Sequence, residues 1–186
     1  MIIHTLGPET TDSSEAARYY LHRQAGQGRI VLHERFEAII ERLPTYGGDM
    51  LLIPAAYKSA DGSDWADFHY TQLNRLKLVD CFHRPLQPLV LIRRKIAAHE
   101  TAYTHPATAV LLKNYLHAVG SRASLCFAGS KDLAYRRYCE QQGRYVLTGM
   151  NSVRHGADDG TIEATYTADM VWCVYQILRE AKVNFL

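Results

Sequence analysis

The stretch that decides the fold is the pentapeptide Ile2-Ile3-His4-Thr5-Leu6 with the eight residues that follow, Gly7-Pro8-Glu9-Thr10-Thr11-Asp12-Ser13-Ser14. The pentapeptide predicts a strand, and the next apolar residues share one face of a helix: Ala16, Ala17, Tyr20 and Leu21. A strand, a hydroxyl-rich turn and a helix start can bind an anion, because the first backbone N–H groups of a helix lack intrahelical partners. Thr11 and Ser13 add hydroxyl donors. The alternative is that Asp12 or Ser13 simply caps the helix.

Beyond this stretch, strand-like and helix-like segments alternate along the chain. Such alternation predicts an α/β architecture with a mainly parallel sheet, in which a ligand binds beyond the carboxyl ends of the strands. Residues 57–67 are polar and predict a surface loop. The further predicted strands are 29–32, 49–54, 76–79, 89–92, 124–128, 145–148, 162–167 and 170–177, and the further predicted helices are 34–43, 106–119 and 131–142.

Polar residues occupy three predicted junctions between a strand and a helix, namely 10–14, 104–105 and 129–131. Converging helix starts suit a small substrate that carries more than one carboxylate. The sequence has neither GxGxxG nor GxxxxGK[ST] at these junctions, so we expect no dinucleotide or nucleotide, and no cofactor.

Composition limits the class of protein. The chain has 186 residues, enough for one domain with its own core, and 47% of them are hydrophobic. A net charge of +2 argues against a nucleic-acid-binding protein. We expect no membrane span, since no apolar run approaches about 20 residues. The start lacks the basic region of a signal peptide, which predicts a cytoplasmic protein.

The cysteines and histidines are spaced without a metal-binding pattern. The four cysteines form no CxxC pair, and we interpret them as reduced, mostly buried thiols. The nine histidines show no HExxH or HxxxH spacing. We therefore predict no metal site.

Several segments resemble the prephenate dehydratases. Segment 7–17 (GPETTDSSEAA) resembles their GPxGTxSxxAA start, and 53–57 (IPAAY) resembles their PIENS segment. Residues 105–107 (HPA) and 129–134 (GSKDLA) lie where the family has HPQ and STxEAA. The resemblance covers the catalytic domain of that family.

The prephenate decarboxylase branch of bacilysin-type pathways is more similar still, through its TLGPE, LHxxFExxIE and VPxAY patterns at 5–9, 32–41 and 53–57. The resemblance implies a type II periplasmic-binding-protein-like fold with two α/β lobes and a ligand cleft between them. Within a single domain, 1–186, we expect lobe 1 at about 1–90 plus 160–186 and lobe 2 at about 91–159. Family members commonly pair, and the predicted edge strands would permit a homodimer.

The sequence departs from the dehydratases at one chemically important place. Val171-Trp172-Cys173 stands where they have a TRF motif, whose threonine acts on the ring hydroxyl of prephenate. Ala55 or Ala56 replaces the asparagine of PIENS, and Thr10 replaces the second glycine of the first motif. A dehydratase needs a donor at the leaving hydroxyl, and valine has none.

The resemblance with these departures implies a carbon–carbon lyase that decarboxylates prephenate, a small dicarboxylate, without aromatising its ring, in specialised amino-acid or peptide biosynthesis. The alternatives are a dehydratase-like enzyme for another carboxylated substrate and a non-catalytic binding module for small carboxylates.

The candidate site residues divide by role. We predict that His69 and Arg93 are the catalytic residues: His69 donates a proton and Arg93 pairs with a carboxylate. The alternatives are a structural histidine and a solvated strand-end charge. His105 donates to the substrate or caps its helix. The predicted substrate-binding residues are Thr11, Ser13, Tyr57, His105, Ser130 and Lys131.

Overall fold

The structure, a computed structural model, describes residues 1–24, 26–59, 61–153 and 160–179. The chain divides into two compact units. The first comprises Met1–Tyr57, Ser63–Arg84 and Met170–Leu186, and the second Lys58–Gly62 and Pro85–Asp169.

The first unit is a mixed sheet with helices on its connections. Its strands lie in the order β2-β1-β3-β10-β4; β1 pairs in parallel with β2 and β3, and β10 runs antiparallel to β3 and β4. Its elements are β1 (Ile2–Leu6), α1 (Asp12–Arg23), β2 (Arg29–His33), α2 (Phe36–Ile40), a 3₁₀ helix (Leu43–Tyr46), β3 (Met50–Pro54), α3 (Trp65–Thr71), β4 (Leu76–His83) and β10 (Val171–Ile177).

Alternation along β3 and β10 fills the core of this unit. Leu51 and Ile53 pack with Cys173 and Tyr175 against α2 and α3, because residues two apart on a strand share a face. Trp172 and Tyr175 are each 1% exposed, so both of these aromatic side chains of β10 are buried.

The second unit repeats the arrangement with a second five-stranded sheet, ordered β7-β6-β8-β5-β9. Strand β6 is parallel to β7 and β8, and β5 is antiparallel to β8 and β9. One face packs on α4 and the other on α5. Its elements are β5 (Leu89–Arg94), β6 (His99–Thr104), 3₁₀ helices (Pro106–Thr108 and Met150–Ser152), α4 (Ala109–Ala118), β7 (Ser124–Phe127), α5 (Lys131–Glu140), β8 (Gly143–Gly149) and β9 (Gly160–Tyr166).

The predicted α/β class is confirmed, but the prediction of a mainly parallel sheet is wrong. Strand β10 enters the first sheet between β3 and β4 and runs against both. Sequence periodicity carries no information on strand direction, so this insertion was not predictable from it.

The structure also differs from the sequence prediction at three places: α3, β6 and α2. Helix α3 begins inside the predicted loop 57–67, where Asp64 and Asp67 form a capping box. Strand β6 was not predicted because its first half, His99 and Glu100, is exposed and polar. The predicted helix 34–43 is shorter, since α2 ends at Ile40 and Pro44 lies within the following 3₁₀ helix.

The cysteines are all free thiols, but the prediction that most are buried is wrong. Cys173 is buried, Cys126 and Cys139 are half-buried, and Cys81 is exposed. Across the described residues, no helix is both long and apolar enough to cross a membrane.

Candidate functional site

The turn after β1 is closed by Thr11, which is the N-cap of α1. Its Oγ1 accepts a hydrogen bond from the Ser14 amide at 3.2 Å and lies 2.9 Å from the carbonyl oxygens of both Leu6 and Pro8, to which it can donate. Gly7 is required here because a Cβ would come within 2.9 Å of Leu32 Cβ. The Thr11 hydroxyl therefore holds the turn, and the amides of Asp12 and Ser13 lie outside this capping contact.

Ser13 differs from Thr11 because its hydroxyl makes no hydrogen bond to another described residue. It is 5% exposed, and among the described residues that hydroxyl has no hydrogen-bond partner. The sequence predicts that the hydroxyls of Thr11 and Ser13 bind a carboxylate. The Thr11 hydroxyl caps α1, whereas the Ser13 hydroxyl takes no part in capping.

A cation that the sequence analysis missed lies at the same turn. The Arg18 guanidinium donates to Ser14 Oγ at 2.9 Å and to the Glu9 carbonyl at 3.1 Å. The signal that would have found it is the spacing of four residues between Ser14 and Arg18, which places both on one face of α1.

Val171 lies at the carboxyl edge of the first sheet. It starts β10, which is antiparallel to β3, and its carbonyl accepts a hydrogen bond from the Ala55 amide at 2.9 Å, just past the end of β3. Val171 is 47% exposed. Because β1 pairs in parallel with β3, the turn that contains Thr11 and Ser13 leaves from this same edge.

Tyr57 and His69 are both engaged within the first unit. The buried Tyr57 donates to Glu37 Oε1 at 2.8 Å, and its ring meets Phe36 edge-on. His69 stacks on Trp65 at 5.0 Å between ring centroids, and its Nδ1 is 2.9 Å from the Tyr175 hydroxyl. Tyr175 pairs with Leu51 and Leu78, so His69 lies over the middle of the sheet and not at its carboxyl edge.

In the second unit, His105 and Ser130 follow the ends of two neighbouring parallel strands. Thr104 pairs with Phe127, and the Ala128 amide donates to the Thr104 carbonyl at 3.0 Å. His105 Nδ1 accepts from the Ala107 amide at 3.2 Å, so a neutral His105 ring carries its proton on Nε2. Ser130 Oγ accepts from the Leu133 amide at 3.0 Å.

Two buried threonines lie at this edge, and Thr148 was not predicted from the sequence, whereas Thr104 belongs to the predicted junction 104–105. Thr148 is fully buried and donates to the Lys131 carbonyl at 2.9 Å, which ties the start of α5 to β8. Thr104 is also fully buried and shares a 2.8 Å hydrogen bond with Thr108. The available signal for Thr148 was a hydroxyl at the next-to-last position of β8, after the apolar residues Tyr145, Val146 and Leu147.

Arg93 is paired with a carboxylate of its own unit. Its Nε donates to Glu163 Oε1 at 2.7 Å across the β5–β9 pair, and this hydrogen bond raises the pKa of Arg93 above its usual value. Burial, with Glu163 as the next cause, raises the pKa of the neighbouring Tyr115 to about 12. Arg93 would have to exchange Glu163 for a ligand carboxylate in order to bind it.

The structure thus places Thr11, Ser13, Tyr57 and His69 in the first unit and Arg93, His105, Ser130 and Lys131 in the second. Thr11 and Ser13 share one helix start, and His105, Ser130 and Lys131 lie at one sheet edge, whereas His69 and Arg93 are held by other side chains. Within the part of the chain that the structure describes, no three His, Cys, Asp or Glu residues are grouped to hold a metal ion.

No protein-family model and no curated protein matches the sequence. Solved structures do resemble it. A prephenate dehydratase from Arthrobacter aurescens, solved in complex with L-Phe, aligns over 97% of this chain and 63% of its own, with a TM-score of 0.62 and 16% identity. A prephenate dehydratase from Staphylococcus aureus covers 95% of this chain and 66% of its own, with a TM-score of 0.57 and 13% identity.

A tungstate ABC transporter structure from Geobacter sulfurreducens is also similar, with a TM-score of 0.58 and 9% identity over 95% of this chain and 84% of that one. The chain spans less than two thirds of the length of the two dehydratases. At these identities the likeness concerns the fold. The protein therefore has the α/β fold of the type II periplasmic-binding-protein kind that prephenate dehydratases share, as predicted from its sequence.

Proposed function

We propose that the protein is a carbon–carbon lyase that removes carbon dioxide from prephenate, or a close analogue, and leaves the ring non-aromatic. The observation that carries this proposal is Val171: an exposed aliphatic side chain at the carboxyl edge of the first sheet, where the resemblance puts the threonine of the dehydratases. The fold shared with prephenate dehydratases supports the substrate class.

The chemistry turns on where a proton is delivered. Loss of carbon dioxide leaves an electron pair on the ring. If the ring hydroxyl leaves as water, the ring aromatises to phenylpyruvate, and this departure needs a donor at the hydroxyl. If a proton reaches a ring carbon instead, the hydroxyl stays. Val171 offers no donor, so the second outcome is favoured.

Each unit, taken by itself, has a helix start that suits a carboxylate. In the first unit the donors are the amide and the hydroxyl of Ser13 at the start of α1, and the nearby Arg18 adds positive charge. In the second they are the start of α5 at Ser130 and Lys131. His105 is better placed than His69 to give the proton, since it lies at a carboxyl edge with the proton on Nε2.

Product analysis tests the reaction. We expect purified protein mixed with prephenate to release carbon dioxide while the ultraviolet spectrum shows no phenylpyruvate. Val171→Thr should redirect part of the turnover to phenylpyruvate, and Val171→Ile, the matched aliphatic control, should not. Phenylpyruvate as the main product of the unmodified protein would overturn the proposal.

The anion site is tested by Ser13→Ala, because that change removes no internal hydrogen bond. We expect kcat/KM to fall about tenfold, equivalent to about 1.4 kcal/mol, with an unchanged melting temperature. Thr11→Ala should lower both kcat/KM and stability, since Thr11 also caps α1. Unchanged turnover in both variants would refute the placement of the site.

The second candidate function is a non-catalytic binding module for small carboxylates. This function is favoured by the ion pair between Arg93 and Glu163, because Arg93 is predicted to act in catalysis and is already paired with a carboxylate of the protein. Melting-temperature shifts with prephenate and other dicarboxylates, without carbon dioxide release, would support it. The place in bacilysin-type biosynthesis, the cytoplasmic location and the homodimer remain predictions.

A further inference from the structure

Two cysteines that are 92 positions apart in the sequence face each other across antiparallel strands. Cys173 of β10 is directly opposite Cys81 of β4, and their Sγ atoms are 3.9 Å apart. Strand β4 is the edge of the first sheet, so Cys81 is exposed, while Cys173 is buried in the core beneath α3.

We propose that Cys81 and Cys173 are a thiol pair which a peroxide oxidises to a reversible disulfide between β4 and β10. This proposal is independent of the proposed function. Opposed residues on antiparallel strands have Cα atoms about 4.5–5.5 Å apart, within the range of about 4.4–6.8 Å that a disulfide spans. The sulfur atoms need to approach by about 1.9 Å to reach bonding distance, which side-chain rotation supplies without a change of register.

The two environments assign different roles to the two sulfurs. Cys81 is the sulfur that solvent reaches. Burial, with Cys81 as the next cause, raises the pKa of the Cys173 thiol to about 12, so Cys173 remains protonated and shielded until its neighbour reacts.

A buried donor stands beside the pair. The Trp65 indole N–H is a buried donor near Cys173, and it opposes the rise in the pKa of the Cys173 thiol. A donor in this position favours negative charge on the Cys173 sulfur, which develops as that sulfur loses its proton and attacks Cys81.

The chemistry balances with hydrogen peroxide as the oxidant. The Cys81 thiol first gives its proton to solvent; the thiolate attacks one peroxide oxygen, the O–O bond breaks, and the hydroxide that departs takes up a proton and leaves as water, with the formation of a sulfenic acid. The Cys173 sulfur then attacks the Cys81 sulfur and loses its proton, the S–O bond breaks, and the departing hydroxide takes up that proton and leaves as a second water. Two thiols and one peroxide thus give one disulfide and two waters, and a dithiol reductant reverses the step.

Mass spectrometry of the full chain tests the pair. After brief treatment with hydrogen peroxide, we expect the mass of the chain to fall by about two hydrogens. Alkylation with N-ethylmaleimide after that treatment should then label two of the four thiols, and one cross-linked peptide should join Cys81 to Cys173. Dithiothreitol should restore both thiols.

Variants identify the cysteines and guard against misfolding. Cys81→Ser changes an exposed residue and should abolish the cross-link, as should Cys173→Ala. The matched control replaces the half-buried cysteines of the second unit, Cys126→Ser with Cys139→Ser, and should keep it. Any of three results would overturn the proposal. They are four free thiols after the peroxide treatment, a cross-link that uses Cys126 or Cys139, and oxidation that stops at a Cys81 sulfinic acid.

Discussion

A single hydroxyl joins the end of β3 to α2. Tyr57 follows the last residues of β3, and its hydroxyl donates to Glu37 Oε1 at 2.8 Å while the ring lies between Phe36 and Phe68. Tyr57 therefore has a structural role in linking β3 to α2, and a role in ligand binding would be additional to it.

Tyr57→Phe removes that hydroxyl and keeps the ring. We expect the free energy of unfolding to fall by about 1.5 kcal/mol, because the lost hydrogen bond has a carboxylate acceptor and is partly buried. Urea denaturation measures the change. Tyr70→Phe is the control, since Tyr70 is 71% exposed and should change stability very little. Equal changes in the two variants would contradict a structural role for the Tyr57 hydroxyl.

At the scale of elements, the three parallel strands of the first sheet bury a chain of titratable side chains. His4 of β1 is 3% exposed; its Nδ1 is 2.9 Å from His33 Nε2 at the end of β2, and its Nε2 is 3.1 Å from Asp49 Oδ2 before β3. Tyr46 stacks on His4 with ring centroids 4.0 Å apart. This cluster joins three segments that are far apart in sequence.

The cluster makes stability depend on pH. Burial, followed by His4 and then Arg42, lowers the pKa of His33 in the folded state. Below the ordinary histidine pKa of about 6.5, the unfolded chain therefore binds a proton at His33 before the folded protein does. We expect the free energy of unfolding to fall as the pH drops from about 6.5 through the lower folded-state pKa.

Urea denaturation between pH 5 and pH 8 measures this dependence. His33→Gln should have the flatter profile, and His117→Gln, which changes an exposed histidine of α4, should follow the unmodified protein. Identical slopes for the unmodified protein and His33→Gln would contradict the assignment to His33.

At the scale of the whole molecule, the two units are built differently along the chain. Apart from Lys58–Gly62, the second unit is the continuous segment Pro85–Asp169. The first unit needs β10, which comes after that segment and lies between β3 and β4 in its sheet.

We therefore expect a fragment of residues 85–169 to fold alone, with a cooperative urea transition by circular dichroism. A fragment of residues 1–84 should show none, because without β10 the strands β3 and β4 have no shared neighbour and the Tyr175 and Cys173 packing is lost. A cooperative transition in the 1–84 fragment would contradict this account of the fold.

The sequence by itself determined the local features. Apolar periodicity gave β1, α1, β3 and α5, and the hydroxyl-rich junctions marked Thr11, His105 and Ser130, each of which caps a helix in the structure. These features depend on neighbours within about four residues, so local chemistry suffices to predict them.

Only the tertiary structure decided which distant segments meet. It inserted β10 antiparallel beside β3, paired Arg93 with Glu163, enclosed His69 between Trp65 and Tyr175, and set Cys81 opposite Cys173. Except for Trp65 and His69, which are four residues apart on α3, the partners of these contacts are separated by many residues, and their register follows from how complete sheet faces are buried. No local pattern encodes that choice, because it depends on the packing of the whole unit.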